Sequence, residues 1–220
     1  MIRSVTNLAN IDYEFATDNV FIAGVALPEA EYPDDPSRVR FFRDLVERLE
    51  AEPGVLAASV TTDLPIIGGG NGRFSIDGET YLGDRDYPSV RIGSISSEHF
   101  ASIETSVISG RDFTDADDAT ALPVAIVNES FQTRHYGTES ALGKRIQFQG
   151  TVQQGVTRER DEQWFTVVGV VPDLYLDTEA FILTQNAIYI PLAQRPTSSV
   201  NIVVRTQGDP LEFTAPAQRI

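Results

Sequence analysis

The sequence predicts an α+β protein in which a β-α-β unit, discontinuous along the chain, carries an inserted β-rich unit. Three observations support this. An apolar run at Val20 to Leu27, an amphipathic stretch from Ser37 and a strand pattern at Val55 to Thr62 follow one another. After Thr62 the texture changes to short segments punctuated by glycine, proline and aspartate. Clear strand patterns then return at Ala187 to Leu192 and Val200 to Arg205. The expected division is residues 1–62 with 187–220 for the first unit and 63–186 for the inserted one.

Taken in order, residues 1–18 are polar and lack periodicity, and read as a lead-in to the first strand. That strand is almost wholly apolar, as expected of one covered on both faces. Glu31-Tyr-Pro-Asp-Asp-Pro36 is a turn-rich connector in which Asp35 can cap a helix and Pro36 can occupy its first position, where a missing N–H costs nothing. The helix is expected over about 37–52, with Phe41, Phe42, Leu45, Val46 and Leu49 on one face and the pairs Arg40/Asp44 and Arg43/Glu47 on the other. Pro53-Gly54 ends it, and Leu64 to Gly72 reads as a loop.

In the inserted unit, strands are expected at Arg73 to Ile76, Ser89 to Ser96, Ser106 to Ser109, Val124 to Val127, Arg145 to Gln149 and Phe165 to Val171. Short helices are expected at Ser97 to Ile103, capped by Ser96, and at Glu129 to Tyr136, capped by Asn128. Thr151 to Gln163 reads as an exposed hairpin loop. Asp209-Pro210 is a second cap-plus-proline helix start, so a β-α-β unit begun near residue 200 is expected to be cut short at its C-terminus.

Composition narrows function. The 220 residues are 41% hydrophobic and 22% charged, which is globular rather than disordered. With 17 Lys and Arg against 32 Asp and Glu the net charge is −15, a field that repels nucleic acid and anionic headgroups. The absence of cysteine removes disulfides, thiolate nucleophiles and Cys-ligated zinc. The longest apolar run is far short of the roughly 20 residues of a membrane helix.

Asp112, Asp115, Asp117 and Asp118 suggest a calcium loop, but the central glycine and twelfth-position glutamate are missing, and an acidic turn is the better reading. His99 and His135 lack a G-x-S-x-G nucleophile elbow and read as structural. Gly68-Gly69-Gly70-Asn71-Gly72 lacks the Lys and Ser/Thr of a phosphate loop and reads as a flexible joint between units. Phe100, Phe113, Phe131, Tyr136 and Trp164 read as core or half-core aromatics. No catalytic, cofactor-binding or metal-ligating residue is assigned. A hydrolase using two of the many carboxylates has only acid abundance in its favour.

A set of short motifs, taken in order, resembles the MacB-like periplasmic core domain of MacB- and FtsX-type ABC transporter permeases. It comprises Phe15-x-Thr-Asp-Asn-Val20, Leu27-Pro28, Phe41-Phe42, Arg48-Leu49, Pro53-Gly54-Val55, Leu64-Pro65 with Gly69, and Ser96-x-x-x-Phe100. It continues with Gly110-Arg-x-Phe-Thr-x-x-Asp117, Val124-Ala-Ile-Val-Asn128, Leu142-Gly143, Val167-Val-Gly-Val-Val-x-Asp173, Tyr189-x-Pro-Leu-x-Gln194 and Val204-Arg-Thr-x-Gly-Asp-Pro210. Glu104 stands where the pattern has glycine, and His99 where it has tyrosine.

The resemblance implies a porter-like unit near the membrane and an inserted sabre-like unit farther out, on the extracytoplasmic (periplasmic) face of the bacterial cell membrane. It implies a non-catalytic domain that couples cytoplasmic ATP hydrolysis to motion outside. The implied partners are the rest of the permease with its membrane helices, its ATPase, a second permease copy, and an adaptor protein or exported substrate. A free-standing extracytoplasmic ligand-binding module is the alternative.

Overall fold

The computed structural model describes residues 19–64, 70–153, 156–160, 163–174 and 186–217. The lead-in over 1–18, Pro65, and Gly68 and Gly69 of the glycine run lie outside these. In chain order the strands are β1 (Val20–Ala26), β2 (Val55–Thr61), β3 (Gly70–Ile76), β4 (Ser89–Ile95), β5 (Ser109–Gly110), β6 (Val124–Asn128), β7 (Arg145–Gln153), β8 (Val156–Arg160), β9 (Phe165–Val171), β10 (Ala187–Pro191) and β11 (Ser199–Thr206). The helices are α1 (Asp35–Glu50), α2 (His99–Ser102), α3 (Glu129–Tyr136) and α4 (Thr214–Ala217).

Six strands close on themselves. β4 pairs with β10 in parallel, β10 with β6 antiparallel, β6 with β9 in parallel, and β9 with β7 antiparallel. β3 then pairs antiparallel with both β7 and β4, completing a ring. Alternate side chains fill the interior of this barrel: Phe74 and Ile76, Val90 and Ile92, Ala125 and Val127, Ile146 and Phe148, Phe165 and Val167, Ile188 and Ile190, all buried. From α3, Phe131 joins the same core. Fully burying side chains of this size is worth roughly 1.5–3 kcal/mol each.

A three-stranded antiparallel wing, β1-β11-β2, stands beside the barrel. β1 and β2 are thus parallel, as a β-α-β unit requires, but β11 lies between them. The wing meets the barrel through one register pair, Thr61 opposite Ile95, extended by Thr62 N–H to the Ser94 carbonyl at 3.0 Å and Ser96 N–H to the Val60 carbonyl at 3.0 Å. One face of the wing packs on α1, with Phe21, Ala23, Phe42, Val46, Leu49, Ala58, Val60 and Ile202 in a second core. The other face joins the outside of the barrel in a third core that holds Ile95, Phe100, Phe113, Ile126, Tyr189 and Val203. This sheet-dominated architecture with few helices is the α+β class the sequence predicts.

Several local expectations shift. The cap of α1 is Asp34, one residue before the expected Asp35, because its extended backbone lets its carboxylate accept from Ser37 N at 2.8 Å. Asp44 lies 3.7 Å from Arg43, its own neighbour, and Arg43 also reaches Glu47 at 3.9 Å. The expected helix over 97–103 is a single turn, since Ser96 turns away from its N-terminus and accepts from Val60 N at 3.0 Å. Gly70, Asn71 and Gly72 are ladder residues of β3, opposite Ile92, Arg91 and Val90, rather than a flexible joint. Much of the stretch read as an exposed loop, 151–163, is ladder too: β7 runs to Gln153 and pairs with β8. β10, grouped by the sequence with the terminal unit, is hydrogen-bonded on both sides within the ring. Asn128 caps α3 as expected, accepting from Phe131 N at 3.1 Å.

Glu104, in place of glycine, holds a left-handed φ of 54°. Its carboxylate pairs with Arg205 of β11, a contact that offsets the backbone cost glycine would avoid.

Gly110 has a φ of 84°, and a Cβ there would stand 2.2 Å from the Val168 carbonyl oxygen. Gly143 has a φ of 76° with open space around it. Gly143→Ala should therefore cost only the left-handed penalty, about 1–2 kcal/mol, whereas Gly110→Ala should cost at least about 2 kcal/mol more through the clash. Urea midpoints of the two variants check this; equal losses would remove steric approach as the reason for Gly110.

Candidate functional site

Three aspartates of the 111–118 turn, Asp112, Asp117 and Asp118, bond within the turn and its flanks. Both Asp117 oxygens accept from the Arg111 guanidinium at 2.7 Å, and one also takes the Thr114 N–H at 2.9 Å. The Arg111 bonds, foremost, hold the Asp117 carboxyl below its ordinary range. Asp112 accepts from Phe113 N, Asp115 from Ser97 Oγ, and Asp118 from the N–H groups of Thr120 and Ala121. The expected acidic turn is present, with Asp115 and Asp118 exposed, and its carboxylates are also hydrogen-bonded; no group of three or more acidic or histidine ligands converges among the described residues.

His99 is sealed in the seam between wing and barrel. Its Nδ1 lies 3.2 Å from Ser59 Oγ, which is 2.7 Å from Ser102 Oγ, and Ser102 Oγ donates to the His99 carbonyl at 2.8 Å. Serine and histidine thus meet, but Ser59 and Ser102 are fully buried and His99 is 1% exposed, so no substrate reaches them. Burial pushes the imidazole down to about 4. His135 faces a different group, with its ring over Phe74 and Phe131 and Nε2 3.4 Å from Asn186 Nδ2.

The sequence reading missed two polar clusters. Asp173, beyond β9, accepts from Asn128 Nδ2 at 2.5 Å, from Ser130 N at 3.0 Å and from Ser130 Oγ at 2.5 Å, and so completes the N-terminus of α3. Beside it a polar cavity of about 470 Å³ is lined by Glu129, Ser130, Thr133, Arg134, Asp173 and Asn186. Asp63 and Arg91 form a buried ion pair at 2.5 Å where β2 leaves the wing. Separation in the chain hides both, since each joins residues from distant segments.

A second cavity, of about 300 Å³, opens between α1 and the acidic turn. Its floor is apolar, from Phe42, Val46, Phe113 and Leu192; Glu47, Glu50, Glu98 and Asp115 stand at its rim. Burial raises the Glu50 and Asp112 carboxyls, and the charge of Glu98 adds to both. The expected half-core aromatics fall into place: Phe100 meets Tyr189 edge-on at 5.2 Å, Phe131 lies in the barrel core, and Trp164 carries the Arg145 guanidinium 5.6 Å above its ring.

A closed six-stranded barrel is thus joined to a helix-covered wing, with its best-formed polar clusters buried or bonded within turns. The chain belongs to the MacB-like periplasmic core domain family, whose model matches residues 4–215. It is similar in structure to the periplasmic region of MacB from Actinobacillus actinomycetemcomitans, at 14% identity over 92% of this chain and 82% of that one, TM-score 0.56. It is also similar to the extracellular domain of the noncanonic ABC-type transporter YknZ from Gram-positive bacteria, at 17% identity over 90% and 88%, TM-score 0.52. No curated protein sequence matches the chain. Among the described residues no helix is long and apolar enough to cross a membrane.

The burial of His99 has a signed consequence. The unfolded chain takes a proton at His99 near pH 6.5 and the folded chain only near about 4, so its contribution is fully present above pH 6.5 and is lost as pH falls toward 4. The loss amounts to about 3 kcal/mol. Urea unfolding of the native chain and of His99→Gln at pH 7 and pH 4.5 should show a shallower acid loss in the variant. Parallel losses would mean that His99 does not titrate between these limits.

Proposed function

We propose that the chain is a non-catalytic extracytoplasmic domain of an ABC permease, coupling ATP hydrolysis in the cytoplasm to movement outside the membrane in export, efflux or lipoprotein-type transport. The observation that carries this reading is the family match across nearly the whole chain, joined to a fold shared with two transporter domains. In it, residues 1–62 with 187–220 form the unit nearer the membrane and 63–186 the outer unit, with β10 the strand by which the first enters the ring of the second. The working assembly contains the membrane helices of the permease, its ATPase and a second permease copy, and the domain docks an adaptor or exported substrate. Wing and barrel share only a short stretch of backbone pairing, which fits a part that transmits displacement.

A free-standing ligand-binding module is the second reading, favoured by the polar cavity beside α3. These 220 residues carry no cysteine, so an introduced thiol read against the unsubstituted parent gives a direct test. Leu82, 94% exposed, can be replaced in the full-length parent protein by Leu82→Cys and challenged in intact cells with a membrane-impermeant maleimide. Labelling in intact cells together with retention in the membrane fraction is expected. Labelling only after lysis would overturn the extracytoplasmic placement, release of the protein on washing would favour the free module, and ATP turnover by the purified chain would end the non-catalytic reading.

A further inference from the structure

We infer that the cavity between α1 and the 113–118 turn is a docking groove for a basic amphipathic segment of a partner protein, one that presents Lys or Arg on either side of an aliphatic side chain. The inference rests on the docking role proposed above and names the chemistry of what docks.

The groove has two walls from different parts of the fold. α1 supplies Val46, Glu47 and Glu50; the turn after β5 supplies Phe113 and Asp115; Leu192, just after β10, lies between. It therefore spans the seam where the wing meets the barrel. An apolar floor inside a volume of about 300 Å³ suits an aliphatic side chain, and the size is at the lower end of sites that hold small groups.

Charge selects the occupant. Glu47, Glu50, Glu98 and Asp115 are exposed, and the charge of Glu98 is felt both by Glu50 on α1 and by Asp112 on the facing turn. Arg43, the basic side chain on the lining, is already engaged with Asp44 and Glu47. An anionic rim around an apolar floor attracts a segment that is cationic at its edges and aliphatic at its centre. A bare metal ion leaves the floor unused, and the rim acids do not converge as ligands among the described residues. A second copy of this chain also fits poorly, because both copies carry a net charge of −15.

The test uses the 220-residue chain and a panel of fluorescent hexapeptides in which Lys or Arg flanks Leu, followed by anisotropy at low and physiological ionic strength. Controls are the same peptides with Leu replaced by Ser, and spermine as a competitor. Saturable binding is expected to weaken with salt, to fall about tenfold or more in Glu47→Lys/Glu98→Lys, and to fall similarly for the Ser peptides. Both substituted residues are exposed, and thermal melting of the variant verifies its fold. No binding by any peptide of the panel, equal binding by Ser peptides, or indifference to the double reversal would overturn the proposal. So would full displacement by spermine at matched charge, or a dimer of the chain that the double reversal dissolves. Any of these failures alongside extracytoplasmic labelling at Leu82→Cys leaves the permease reading standing and removes only the groove.

Discussion

The fold depends on one strand serving two neighbours. β3 pairs with β4 through residues 70–73 and with β7 through residues 71–76, so the same short segment holds both sides of the gap. Without it β4 and β7 would be exposed edges, and the interior lined by Phe74, Val90, Ile146 and Phe148 would open to water. The register shift between Gly72 and Phe74 bends β3 where its pairing with β4 ends and its pairing with β7 continues. Closing the ring satisfies backbone groups and seals apolar area at once, which is why a chain with modest helical content folds around it.

A second constraint is the seam. Tyr189 on β10 lies opposite Gly93 on β4, and a Cβ on that glycine would come within 3.2 Å of the tyrosine ring. The missing side chain lets the ring lie across the strand and meet Phe100 edge-on. The buried pair Asp63 and Arg91 stands at the same corner, where truncating one partner would strand a charge. Wing and barrel share little backbone, so these side chains determine how the two stay aligned.

The sequence revealed what local pattern encodes. The apolar stripe of α1, the Asn128 cap and the alternating strands β9 and β11 stand within a few residues of where periodicity places them. It concealed what distance encodes. Gly70-Asn71-Gly72 has no apolar alternation, so nothing local distinguishes a closing strand from a loop. Asp63 and Asp173 look like ordinary surface acids until the fold brings Arg91 and Ser130 to them. The acidic stretch 112–118 was legible as a turn, but the use of its carboxylates by Arg111 and by backbone N–H groups was not.

The place of β11 also bears on how the chain is made. β1 and β2 are synthesised early with the helix between them, yet they do not pair with each other; both pair along their lengths with β11, more than a hundred residues later in the chain. During N-terminal-first synthesis β1 and β2 therefore cannot complete their pairing until residues 199–206 emerge. The wing is thus assembled from strands on either side of the barrel's strands, which all lie between β2 and β11 in the chain.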